Sequence, residues 1–157
     1  MHQINSRISG ETNSVSSYAI SLLKNKYSSL QTKEFRKTVA TVLAKGFEKE
    51  KDGYTRREYI NAIRDEMPNI IPDGYIVNEQ ENKIIIFEIE DTNFLTPYKI
   101  DCIVDLWQML DFESWNLEAR VTDRYGLHEQ PLPLMDYYYN SLQKLQKTHK
   151  ERLTKVV

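Results

Sequence analysis

The chain has 157 residues, 40% hydrophobic and 28% charged, with 5 Gly, 5 Pro and a single cysteine. That composition excludes collagen-like and low-complexity chains, no apolar run approaches the about 20 residues that cross a bilayer, and the length suits one domain, 1–157, around one core. The formal net charge of −2 conceals a division: residues 1–57 hold 11 Lys/Arg against 5 Asp/Glu, residues 58–136 hold 5 against 17, and residues 137–157 hold 5 against 1.

The polar start, MHQINSRISGETNS, carries no apolar signal core, so residues 1–10 read as a loose arm and export is not expected. Val15, Tyr18, Ala19, Leu22 and Leu23 recur at helical spacing over 11–26. A clearer helix spans 32–50, with Phe35, Val39, Val42, Leu43 and Phe47 on one stripe. Asp52-Gly53 predicts a turn. Thr55 with Glu58 three residues on forms a capping box for a helix that Pro68 ends. Together, 1–54 make an N-terminal helical part.

Two strands follow, Ile71–Val77 and Lys83–Glu90, joined by a polar turn. The second is almost continuously apolar, the mark of a strand buried on both faces in mid-sheet. Thr96 as N-cap and Pro97 at the first position start a helix that runs to about Asp111. Residues 115–123 alternate cleanly and predict a third strand, parallel to the second across that helix. Residues 126–157 hold a final tyrosine-rich helix over 133–153 and a basic tail. The order predicts an α/β fold, a small mixed β-sheet flanked by helices, with extra N-terminal helices.

The chemistry gathers at one end of the hairpin. Asp73 opens the first strand, and Glu88 and Glu90 close the second on one face. An antiparallel hairpin sets the start of one strand beside the end of the other, so three carboxylates are expected to converge. Bare carboxylates in contact repel, and one takes up a proton. A hard cation held by oxygens relieves this, and Mg²⁺, with Mn²⁺ as substitute, is the natural candidate. The plain alternative is a polar exit from the core through Asp91-Thr92-Asn93.

P72-D73 followed by E88-I-E90 at the end of an apolar strand resembles the PD-(D/E)XK nuclease superfamily. The resemblance covers roughly residues 55–125, which would be the restriction-endonuclease-like core. Segments F-E-I-E-D-T92 and V-T-D-R-Y-G126 are also similar to uncharacterised microbial and phage proteins of that superfamily. The resemblance implies Mg²⁺-dependent hydrolysis of phosphodiester bonds in DNA, with Asp73 and Glu88 as metal-binding acids. Glu90 stands where the family carries lysine, so it would act as general base or third ligand. Lys99, in the first turn of the following helix, can supply the cation, since relocated lysines occur in the superfamily; an exposed helix residue is the plainer reading. Glu58 can be the helical acid that some members add, although its capping role explains it. Pro68–Ile70 leaves little room for the strand that usually precedes the Asp-bearing one.

Elsewhere, Arg120 and Arg124 flank the third strand and would pair with the acids or touch a phosphate. Lys144, Lys147 and Lys150 on the final helix would hold a nucleic-acid backbone, or serve only as a solvated face. Tyr137, Tyr138 and Tyr139 point three ways, so core packing with one exposed ring is expected. Cys102 falls on an apolar helical pattern and reads as buried filler, consistent with a reducing, cytoplasmic setting. His2, His128 and His149 have no metal-ligand spacing. Two functions therefore stand: a metal-dependent nuclease, or a nuclease fold that binds nucleic acid or a protein without cutting. A third is an α/β domain whose acids are only surface. A homodimer is an expected partner for a nuclease that addresses two strands, but no stretch of sequence marks an interface.

Overall fold

The computed structural model describes residues 17–46, 53–90 and 95–156, with side chains to residue 154. In chain order the elements are α1 (17–26, as far as described), α2 (Phe35–Ala44), α3 (Arg56–Glu66), β1 (Gly74–Asn78), β2 (Lys83–Glu90), α4 (Pro97–Phe112), β3 (Asn116–Asp123), β4 (Gln130–Pro131) and α5 (Leu134–Val156). The four strands form one sheet in the order β1-β2-β3-β4. β1 pairs antiparallel with β2, β2 parallel with β3, and β3 antiparallel with β4. The fold is thus mixed α/β. No helix among the described residues is long and apolar enough to cross a membrane.

β2 lies inside the sheet, and its side chains explain why both faces are covered. Ile84 and Ile86 join one cluster with Phe35, Val39 and Leu43 of α2 and Ile103, Leu106 and Leu110 of α4. Phe87, on the opposite face, packs with Leu23 and Leu30. The parallel pairing with β3 requires a crossover, and α4 supplies it. The hairpin turn closes with Asn82 at φ 49 and the Glu81 N–H donated to Asn78 Oδ1 at 3.1 Å.

Cap chemistry fixes the helix starts. Thr55 and Glu58 form the expected capping box, and Thr96 caps α4 ahead of Pro97. Helix α2 begins at Phe35 rather than 32, because Glu34 adopts a left-handed conformation at φ 57 that interrupts any earlier turn. At the other end of α3, Arg36 donates to the carbonyls of Arg64 at 2.6 Å and Met67 at 3.3 Å, satisfying groups the helix leaves open.

Three further differences from expectation have local causes. β1 starts at Gly74, not Ile71: the Ile89 N–H, which would continue the ladder, donates instead to the Asp73 side chain at 2.8 Å. β4 is only two residues long, too short to carry a periodic signal, and was not expected. On the free edge of β1, Gln31 forms an isolated antiparallel bridge to Tyr75 where the sequence left no room for a preceding strand. α2 ends at Ala44, short of the expected 50, because residues 45–46 form a turn in which Lys45 and Gly46 donate to the carbonyls of Val42 and Leu43. The loose arm at 1–10, the start of the helix at 11–16, Phe47 and the rest of 47–50, the Asp52 half of the Asp52-Gly53 turn and the polar exit at 91–93 all lie outside the described residues.

Candidate functional site

β1 and β2 bring two acids together. Their register sets Gly74 against Phe87, so the next pair outward is Asp73 and Glu88. Asp73 is half-buried at the mouth of the hairpin, held by its bond from Ile89. Glu88 shares its strand face with Ile84 and Ile86, the face that packs against α4, and this carries its carboxylate into the core at 2% exposure.

Helix α4 supplies a cation to the same point. The Thr96 cap accepts the Lys99 N–H at 3.2 Å, which fixes Lys99 in the first turn. From there Lys99 Nζ reaches Glu88 Oε2 at 2.8 Å. Its own side chain is 35% exposed, so Lys99 links the buried acid to the surface. The other oxygen, Glu88 Oε1, is buried with no hydrogen-bond partner among the described residues. Such an unmet buried acceptor costs about 1–3 kcal/mol, more when it is charged. Burial pushes the Glu88 carboxyl up to about 8; the Lys99 ammonium opposes that shift, and the Asp73 carboxylate adds to it.

The donors fit a hard divalent cation. Two carboxylates face one another from adjacent strand ends, one of them with an oxygen left unmet, and oxygen is the donor such a cation takes. Mg²⁺ in particular is commonly held by one or two carboxylates and keeps several waters.

The expected convergence of three acids is not what the register gives. Glu90 lies two residues beyond Glu88, level with Ile71 rather than Asp73, and stands opposite Asp123 in the β2–β3 pairing. Among the described residues no group of three His, Cys, Asp or Glu side chains is placed to hold a metal. Lys99, not Glu90, completes the cluster with Asp73 and Glu88.

Other candidates stand apart. The Glu58 carboxylate is engaged with Thr55 in the α3 cap, at 3.0 and 3.1 Å, and none of its bonds reaches Asp73 or Glu88. Arg120 does not pair with the hairpin acids. It pairs in register with Phe87, on the opposite sheet face from Glu88, and its guanidinium meets Glu118 at 2.9 Å, Glu129 at 3.1 Å and the Tyr27 hydroxyl at 2.9 Å. Arg124 is exposed just past the end of β3, with its guanidinium on Tyr125. That is the end of the sheet where Glu88 and Glu90 lie. Lys144, Lys147 and Lys150 are exposed on the outer half of α5, where every residue from 143 to 154 is exposed. Tyr137 and Tyr138 pack on the core while Tyr139 stays 54% exposed. Cys102 is only partly buried.

Glu129 is a residue the sequence reading did not single out. It gathers Lys26, the Tyr27 hydroxyl at 2.8 Å and Arg120. Burial works to raise its pKa, but the bonds from Lys26, Tyr27 and Arg120 outweigh that and hold it below the usual carboxylate value. No periodicity or motif marks an acid in a short connecting segment, so no local signal could have found it.

Compared with known proteins, the chain matches no family model, no curated protein and no solved structure.

Proposed function

We propose that this protein is a metal-dependent phosphodiesterase of the PD-(D/E)XK nuclease type, acting on DNA. The observation that carries the reading is Glu88: a carboxylate buried beside Asp73, one oxygen on Lys99 and the other unmet. Further support comes from the order hairpin, crossover helix, parallel strand, and from the antiparallel bridge of Gln31 on the edge where that superfamily's first strand would lie.

Asp73 and Glu88 would hold Mg²⁺ or Mn²⁺, which when bound supplies a Lewis acid for a phosphoryl oxygen and acidifies water. The chain's own groups do the rest. Lys99 takes the cationic role that Glu90 cannot, placing positive charge where the transition state gathers negative charge. Its cap bond to Thr96 holds it there in advance. Glu90, half-buried at the strand exit, is left to accept a proton from the attacking water. Arg124, exposed at the same sheet end, is the side chain offered to the phosphate backbone. Arg120 is committed to Glu118 and Glu129 and has no part in this reading.

A second reading is a nuclease fold that binds without cutting. The Lys99–Glu88 contact favours it, because a lysine at 2.8 Å already neutralises the acid a metal would need. A cleavage assay separates the two. Plasmid and single-stranded DNA are incubated with Mg²⁺ or Mn²⁺ and with wild type, Asp73→Asn, Glu88→Gln or Lys99→Met. The nuclease reading expects metal-dependent cutting that each variant lowers by roughly 100-fold or more. Full activity in Lys99→Met would remove Lys99 from the mechanism, and metal-independent binding without cutting would favour the second reading.

A further inference from the structure

One stripe of α4, exposed at Tyr98, Asp101 and Asp105 and half-buried at Met109, lines a groove. Tyr98, Asp101, Asp105 and Met109 border a cavity of about 590 Å³ against the end of α3, where Glu66 stands. Met109 and Glu66 also border an adjoining cavity of about 240 Å³ that ends at Phe112. The two cavities share Glu66 and Met109 and together follow nearly the whole of α4, roughly 20 Å at 1.5 Å per residue. The groove's character is apolar and acidic: Tyr98 is 63% exposed and Phe112 87%.

The outer half of α5 is its complement. Leu145 and Leu153 are 67% and 55% exposed. At 100° per residue they fall with His149 within an arc of about 80°. Arg152 and Lys150 lie about 20° and about 60° outside that arc, and Lys144 and Lys147 lie on the far side. The stretch 143–154 is about 18 Å long, a match for the groove. α5 runs unbroken from a first half seated on Trp107 of α4, so the outer half cannot turn back into its own chain's groove.

We propose that the occupant is a second copy of this chain: the outer half of each α5 docks in the α4 groove of its partner, making a two-fold dimer. This goes beyond the nuclease reading and does not depend on it. Leu145 and Leu153 supply the apolar face that a helix lays into a groove. Lys150 and Arg152 meet Glu66, Asp101 and Asp105, which steers and orients the contact. Two-fold exchange makes the contact twice, raising one helix in one groove toward the roughly 1,000 Å² a specific dimer needs.

The test is the mass of the full chain in solution, by sedimentation velocity across the micromolar range, with circular dichroism confirming that each variant is folded. Wild type is expected to be a dimer. Lys150→Glu/Arg152→Glu is expected to weaken it by roughly 100-fold, as is Asp101→Lys/Asp105→Lys. The four changes together should restore the dimer, and Lys144→Glu or Lys147→Glu should leave it intact. A monomeric wild type, or a dimer indifferent to both sets of changes, would overturn the proposal. So would α5 holding nucleic acid instead, in which case the chain stays monomeric and Lys147→Glu weakens DNA binding as much as its neighbours do.

Discussion

Glu88 is buried and Glu129 half-buried, both with cationic partners, yet burial wins at one and the partners win at the other. Between pH 4.5 and about 8 the folded protein holds the Glu88 proton and the unfolded chain does not. Stability therefore falls as pH rises through that window. Glu88→Gln removes the dependence, so thermal melts should find the metal-free variant gaining on wild type from pH 5 to pH 9. A wild-type-like pH profile in the variant would contradict the assignment. Glu129 has the opposite sign: its stabilisation is present above the ordinary carboxylate pKa and is lost as pH falls through its lowered value. Glu129→Gln should accordingly cost more stability at neutral pH than in acid, with the difference shrinking as pH falls below the ordinary carboxylate range. The sequence placed Asp73 beside the Glu88–Glu90 end of the second strand, because hairpin register follows from turn position, but did not decide which glutamate it meets. It did not show that Lys99 reaches Glu88, since a first-turn lysine reads the same whether it faces solvent or a buried acid.

At the scale of elements, α4 carries most of the consequences. Its N-cap sets the helix start and the position of Lys99, so Thr96→Ala should cost about 1 kcal/mol in denaturant unfolding. Cleavage should fall further than that loss of stability explains, because Lys99 loses its anchor. Caps, the apolar second strand and the parallel third strand were legible because each depends on residues close in sequence. β4 and the Gln31 bridge were not, because two residues or one cannot show a period. β1 is tied to α2 by the Tyr75 hydroxyl, which donates to the Lys33 carbonyl and stands 3.1 Å from Thr38 Oγ1. Tyr75→Phe leaves those acceptors unmet and should cost about 1 kcal/mol; no change in the unfolding midpoint would show the bond to be replaceable.

At the scale of the whole molecule, a contact between residues far apart in sequence helps close the fold. Gly126 adopts φ +69 where an added Cβ would lie 2.9 Å from the Ala19 carbonyl oxygen, so the turn after β3 passes directly against α1. Gly126→Ala should destabilise by more than 1 kcal/mol through both the backbone conformation and the clash. The charge division of the sequence reappears in space as an acidic groove along α4 and a basic outer half of α5. The acids at the hairpin mouth are the centre of the account, and the direct test is a calorimetric titration with Mn²⁺ at pH 8, wild type beside Glu88→Gln. The account predicts binding at one site per chain in wild type and its loss in the variant. No binding in wild type, or equal binding in both, would contradict it.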